Sequence, residues 1–206
     1  MKITRTANAG VLIETMGVRI LIDGVCQELA PYEKTPDSLR EEFLTNPPDV
    51  LLFTHTHKDH YDSGYARYYK EKTLRPVCKT ECESEMTIGG ARIKSFPTRH
   101  IGKNDVSHAS FVIEGDRCVW FAGDASPSEL KGISEVSNPD ILIVPYAYTI
   151  TESGWRVATN TGAEKIVLLH LPQKELDEYS LWDLSYEVTK GDERLVIPEI
   201  GEELCF

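Results

Sequence analysis

No stretch of this 206-residue sequence stays apolar for the roughly 20 residues that a helix needs to cross a bilayer. The run Ile141-Leu142-Ile143-Val144 is stopped at once by Pro145. The opening Met1-Lys2-Ile3-Thr4-Arg5-Thr6 lacks the apolar core of a secretory signal, so the expected location is the cytoplasm. Positive charge is scarce: 22 Lys and Arg stand against 33 Asp and Glu, a net charge of −11. So diffuse a negative field repels phosphate backbones and disfavours a nucleic-acid partner. Bound divalent metal would reverse that sign locally and admit a small anionic substrate. Cysteine is also sparse. Cys26, Cys78, Cys82, Cys118 and Cys205 are odd in number and scattered, and a chain of this size needs no disulfide staples, so reduced thiols are expected. Cys78 and Cys82 have no second Cys or His pair near them in sequence and read as ordinary thiols rather than a metal pair. Low-complexity segments, long linkers and compositional breaks are absent, which points to one domain over residues 1–206.

What is there reads as strands and turns first, then alternating strands and helices. Val11–Glu14 and Val18–Ile22 flank a turn at Met16-Gly17; Asp37-Ser38 caps a helix over Leu39–Leu44 that Asn46-Pro47-Pro48 stops. A buried-type strand follows over Asp49–Phe53. Gly89-Gly90 turns into a strand over Ala91–Phe96, and Gly115-Asp116 joins Ser110–Ile113 to Cys118–Phe121. Asp140–Val144 and Lys165–Leu169 are strands, Ser153–Asn160 and Tyr179–Thr189 helices, and Leu195–Ile197 a last short strand. Hairpins followed by β-α-β units predict a layered α/β sandwich.

The sequence has only six histidines, and three fall within Thr54-His55-Thr56-His57-Lys58-Asp59-His60, directly after the apolar strand. Neutral imidazole is the commonest protein ligand for transition metals, and carboxylates join it readily. His55 and His57, two apart at a strand end, point the same way in extended geometry and can grip one ion. Asp59 and His60 follow once the chain turns, which suits a second ion beside the first. Further ligand candidates each close a strand-like run: His100 after Ile93–Arg99, Asp124 after Trp120–Gly123, and His170 after Ile166–Leu169.

The ordered pattern H-x-H-x-D-H with a distant His, Asp and His resembles the metallo-β-lactamase fold superfamily. The strand end Leu21-Ile22-Asp23 and the segment Phe121-Ala122-Gly123-Asp124 extend the likeness over nearly the whole chain. The resemblance implies an α/β fold, a four-layer αβ/βα sandwich. It implies that His55, His57 and His100 hold a first metal and that Asp59, His60 and His170 hold a second, with Asp124 bridging both. Asp23 is, by the same resemblance, a support behind the ligands; read alone, it is equally a turn or cap residue. Asp124 stands where antibiotic-hydrolysing zinc relatives carry Cys, and His57 where di-iron redox relatives carry Glu. The interval from Asp124 to His170 is too short for the large inserted domain of RNA-processing relatives.

The resulting expectation is a binuclear metal-dependent hydrolase of the small branch resembling sugar-phosphate lactonase-like proteins. A metal-bridged hydroxide would cleave an ester, lactone or phosphodiester bond in a small anionic metabolite. The cofactors expected are two divalent ions, zinc first, with Mn or Fe also suited to an all-N/O donor set. Asp59 would ligate the second metal and also orient the nucleophile or shuttle its proton. Alternatives are a nuclease, which the acidic balance opposes, or a cyclic-nucleotide phosphodiesterase, and a non-hydrolytic di-metal redox or metal-binding protein. The expected partner is a small-molecule substrate, with no nucleic acid and no membrane, and with a homo-oligomer left open. Tyr146 and Tyr148, just after Pro145, either contact substrate or simply pack. Arg99 and Lys103 beside His100 read as solvated charge, and His108 as a surface-loop histidine.

Overall fold

Alternation along the strands decides the layers. In β3 (Val18–Ile22), Val18, Ile20 and Ile22 join one apolar cluster, while Leu21 between them joins another. With side chains buried on both faces, the sheet must be covered on both. The computed structural model describes residues 1–78, 85–102, 106–130 and 138–206. In it, β1 (Lys2–Arg5), β2 (Val11–Thr15), β3, β4 (Val50–Leu52), β5 (Val77–Cys78) and β13 (Glu203–Cys205) form one sheet, ordered β13-β1-β2-β3-β4-β5. The second sheet holds β6 (Glu85–Ile88), β7 (Ala91–Pro97), β8 (Ala109–Glu114), β9 (Cys118–Phe121), β10 (Ile141–Pro145), β11 (Lys165–Leu169) and β12 (Leu195–Val196), in the order β12-β11-β10-β9-β8-β7-β6.

The two sheets face each other across a core to which Ile13, Ile20 and Leu52 contribute from one side and Ile113, Phe121 and Ile143 from the other. Helices α1 (Asp37–Thr45) and α2 (Ser63–Thr73) cover the outer face of the first sheet, placing Phe43, Tyr65 and Tyr69 on Leu21, Leu51 and Phe53. Helices α3 (Glu152–Thr159) and α4 (Leu181–Thr189) cover the second, where Ala158, Trp155 and Trp182 cluster with Trp120, Leu142 and Leu168. The order helix, sheet, sheet, helix is the four-layer sandwich that the sequence resemblance implies. Strand β4 runs parallel to β3, and β9 to β12 run parallel to one another. Open parallel sheets present their ligand crevice at the C-terminal strand ends, which is where His55, Asp124 and His170 follow β4, β9 and β11.

Several elements differ from the sequence expectation. The chain does not close on β12: β13 returns to pair antiparallel with β1, Lys2 opposite Cys205. Neither of these short strands carries enough alternating positions to be read unaided. Helix α2 escaped because its inward side chains are chiefly Tyr65 and Tyr69, which score poorly as an apolar stripe. Helix α4 begins at Leu181 rather than Tyr179, because the Asp177 carboxylate accepts the Leu181 and Trp182 backbone N–H groups, each at 2.9 Å. Cys26 is a buried thiol whose pKa burial pushes up. Cys82 lies outside the described residues. Among the described residues, no helix is long and apolar enough to cross a membrane.

Candidate metal centre

Four turns converge on one crevice. Beyond β4 the chain leaves the first sheet as Thr54-His55, loops outward through exposed His57, and turns back to buried Asp59 and His60. His60 and Tyr61 N–H groups donate to the His57 carbonyl at 3.0 and 2.9 Å, which closes that turn. From the second sheet, the loops carrying His100 and Asp124 are zipped together: Ile101 N–H donates to the Asp124 carbonyl and Ser126 N–H to the Arg99 carbonyl, both at 2.8 Å. His170 ends β11 with a left-handed φ of 65°, its N–H donating to the Asn8 carbonyl at 3.1 Å. Gly123 has φ 55°, and a Cβ there would lie 2.6 Å from Thr54 Cγ2 and 2.9 Å from His108 Nε2, so only glycine admits Asp124 at this approach.

The structure brings all seven expected side chains together. His55, His57 and His100 each offer a donor atom within 4.8 Å of the others, and so do Asp59, His60 and His170; His55, His60 and Asp124 form a third such group between them. Asp124 Oδ2 is 3.4 Å from His60 Nε2, 3.5 Å from His100 Nε2 and 3.4 Å from His170 Nε2. Yet the Nε2 atoms of His60, His100 and His170, and Asp124 Oδ1, are buried without a hydrogen-bond partner. Orphaned buried lone pairs are costly, and a cation is what would satisfy four of them at once.

The network behind these atoms sets the imidazole tautomers. Asp23 is fully buried and accepts the Thr54 N–H at 2.8 Å, the Thr54 hydroxyl at 2.6 Å and His60 Nδ1 at 2.9 Å. With the Thr54 hydroxyl proton given to Asp23, His55 Nδ1–H donates to Thr54 Oγ1 at 3.0 Å. His100 Nδ1–H donates to the Ile101 carbonyl. Each of these rings therefore turns an Nε2 lone pair inward, the arrangement that metal-ligating histidines show when a carboxylate or carbonyl fixes the far nitrogen. His55 Nε2 meets His57 Nδ1 at 3.1 Å.

Electrostatics tell the same story. Burial opposes charge on His60 and His170, but the Asp124 carboxylate outweighs it, with Asp23 helping at His60 and Asp59 at His170. The His60 pKa rises well above its usual value and that of His170 goes to about 9. Burial alone would raise the Asp124 and Asp59 carboxyls, but the surrounding imidazoles hold both below the ordinary range. At His55 and His57 burial and the neighbouring histidines outweigh the pull of the carboxylates, and both pKa values are driven down. Two carboxylates thus demand positive charge, which protons on His60 and His170 meet; a divalent ion would meet it instead and leave those ring nitrogens free to ligate. The donor set fits divalent metal.

His108 corrects the sequence expectation. It is 4% exposed rather than on a surface loop. Its Nε2 accepts the Asp124 backbone N–H at 2.9 Å, which leaves Nδ1–H to donate to Thr98 Oγ1 at 2.8 Å. The relay continues from Thr98 Oγ1 to Ser110 Oγ at 3.1 Å and from Ser110 to the Ala122 carbonyl at 2.8 Å. Burial pushes the His108 pKa down to about 3, so the ring is neutral. The two tyrosines separate as well. Tyr148 is fully buried, its hydroxyl donating to the Ala125 carbonyl at 2.9 Å, and packs without reaching the crevice. Tyr146 lines it, opposite Tyr32, whose ring meets His170 edge-on at 4.4 Å. Tyr32 escaped the sequence reading; nothing near Ala30-Pro31-Tyr32 marks it as facing a histidine far along the chain. Arg99 is exposed and donates to the Ser126 and Ser128 hydroxyls, while Lys103 lies outside the described residues.

A family model described as a beta-lactamase superfamily domain matches residues 2–172. A UPF0173 protein of Pyrococcus abyssi is 31% identical over 173 residues, an alignment covering 74% of this chain and 73% of that protein. A UPF0173 metal-dependent hydrolase of Methanoregula boonei is 27% identical over 161 residues, covering 66% of this chain and 68% of its own length. Among solved structures, a metallo-beta-lactamase fold protein from Bacillus subtilis matches with a TM-score of 0.68 at 18% identity, covering 98% of each chain, a likeness of fold.

Proposed function

The chain belongs to the beta-lactamase superfamily, and on that basis, together with the two donor triads that meet at Asp124, we propose that it is a metal-dependent hydrolase with a two-ion centre. The observation that carries the reading is the sharing of Asp124: one carboxylate, 14% exposed, lies between the His55/His57/His100 group and the Asp59/His60/His170 group. Divalent ions held there, zinc or in its place manganese or iron, supply Lewis acidity towards a carbonyl or phosphoryl oxygen and acidify water from a pKa of 15.7 to about 7.

The chain's own residues do the rest. His55, His57 and His100 would hold one ion, Asp59, His60 and His170 the other, and Asp124 both. Asp23 and Thr54 lock the rings of His60 and His55, so the ligand nitrogens meet an ion already oriented. Asp59 lies on the cavity wall, with Oδ2 3.2 Å from His170 Nε2. Held ionised, it takes the proton of the attacking water and returns it to the leaving oxygen. Tyr32 faces the same cavity; burial and the neighbouring Tyr146 hydroxyl keep its phenol protonated, so it has a proton to offer a substrate oxygen. The partner is a small molecule, since the cavity at the donor groups measures only about 210 Å³.

The test pairs metal analysis of the purified protein with turnover of esters, lactones, thioesters, phosphodiesters and β-lactams. The expected result is up to two equivalents of metal and turnover confined to one bond type, lost with chelator and restored by metal. Protein that holds no metal, or metal-replete protein inert across the panel, overturns the reading.

A further inference from the structure

The metal crevice is not closed at its tyrosines. Tyr32 and Tyr146 line both the cavity at the donor groups and a second, larger cavity of about 390 Å³ that continues outward. The second cavity is walled by Pro31 and Pro172 and by the side chains of Leu176, Tyr179 and Leu181. Leu176 is 44% exposed and Tyr179 76%, large apolar groups left facing solvent where the loop before α4 passes the site. Its only charged lining residues, among those described, are Asp177 and Glu178. Neither cavity is lined by a lysine or arginine among the described residues.

From this we propose that the outer groove receives an uncharged apolar or aromatic arm of the substrate, while the scissile bond sits at the donor groups. The proposal rests on the hydrolase reading above and specifies its substrate class. Burying an anionic arm beside Asp177 and Glu178 with no cation to meet it would be costly, and the net charge of −11 adds to the repulsion. An apolar arm instead covers proline, leucine and tyrosine surface that water now wets. The groove's size suits a ring or a short chain, and the two shared tyrosines make the path from groove to reacting centre continuous. In the reaction, water adds its hydroxyl to the acyl carbon, the bond from that carbon to the leaving oxygen breaks, and the remaining water proton passes to the leaving oxygen. No oxidant or second reactant is needed.

Hydroxamates, which anchor on metal, separate groove from centre without turnover. Binding to the metal-loaded protein is measured by calorimetry for acetohydroxamate, 3-phenylpropanohydroxamate and its para-carboxyl analogue. The phenyl compound should bind roughly 10- to 100-fold more tightly than acetohydroxamate, and the para-carboxylate should lose that gain. Because Leu176 is exposed, Leu176→Arg keeps the fold and should reverse the order of the phenyl and carboxyphenyl compounds. Tyr186→Arg adds the same charge outside this groove and should leave the order alone. Equal affinity for acetyl and phenylpropanoyl compounds, preference for the carboxylate in the unaltered protein, or indifference to Leu176→Arg overturns the proposal. Phenylalkyl esters are then assayed with the same enzyme. If the hydroxamate order holds but the enzyme is inert to these esters and to the rest of the bond-type panel, the hydrolase reading fails while the groove assignment stands.

Discussion

At the residue scale, the centre depends on groups that orient ligands as much as on the ligands. Asp59 is proposed both as a donor towards metal and as the proton carrier. Asp59→Asn keeps the shape and one oxygen donor but removes the base, so turnover should fall by about 10²-fold or more. Rates measured alongside metal content decide this: wild-type turnover in the metal-replete variant would show that Asp59 carries no proton. His108 acts through Asp124, whose backbone N–H it accepts. His108→Ala leaves that N–H and the Thr98 hydroxyl short of partners and opens a void, and should cost about 1–3 kcal/mol in stability. It should also weaken metal binding, read by competition with a chromogenic chelator. Glutamine can place an oxygen near the imidazole Nε2, so His108→Gln should recover part of the metal affinity; equal losses in both variants would mean the void, not the hydrogen bond, matters. His108 was misread in sequence because nothing local distinguishes a buried histidine from one on a loop. Its burial follows from β8, whose Ala109 N–H bonds to the Thr54 carbonyl and draws the preceding residue inward.

At the element scale, helix α2 holds the returning limb of the histidine turn. Asp62 caps it by accepting the Tyr65 N–H at 2.9 Å, and also takes a 2.7 Å contact from Arg40 on α1. Burial raises the Asp62 carboxyl, but the Arg40 hydrogen bond and the cap bonds outweigh it, so its pKa is depressed. A depressed carboxylate pKa contributes stability that is present above the unfolded value and lost as pH falls through the folded one. Asn caps nearly as well as Asp, so Asp62→Asn isolates the ion pair, expected at about 1 kcal/mol at neutral pH. Urea unfolding of both proteins should show this difference at pH 7 and its progressive loss as pH falls below the unfolded carboxyl value of about 3.9 and on through the depressed native one. A difference that persists undiminished in acid would exclude the charge as its source.

At the scale of the whole molecule, the candidate donors straddle the sandwich. His55, His57, Asp59 and His60 follow β4 of the first sheet, while His100, Asp124 and His170 follow β7, β9 and β11 of the second. Metal at the crevice would therefore tie the two sheets together at one edge. For a site at 100 times its Kd, binding stabilises by about 2.7 kcal/mol, or roughly 5–10 °C in Tm for a chain of this size. Calorimetry with chelator and with added zinc should show that gap; an unchanged Tm would mean the donor groups take no metal in the folded state.

Much of this was legible in sequence because the physics is local. An imidazole pair two residues apart at a strand end has few uses other than gripping an ion, and β2, β3, β8 and β9 announce themselves through alternation around Gly and Asp turns. Other features depend on partners distant in sequence. β1 and β13 are too short to declare themselves: β1 is held between β2 and β13, and β13 is placed by a strand some 200 residues away in sequence. Tyr32 is an ordinary loop tyrosine until His170 arrives against its ring. The groove of Pro31, Pro172 and Leu176 exists only because loops some 140 residues apart come together at the tyrosine pair. By itself, then, the sequence determined the donor inventory, the layer class and the strand ends where the donors stand, because side-chain chemistry and period-two burial are properties of neighbours along the chain. Only the tertiary structure decided which nitrogens face inward, what holds Asp124, and what surface a substrate meets, because hydrogen-bond partners and cavity walls are properties of neighbours in space.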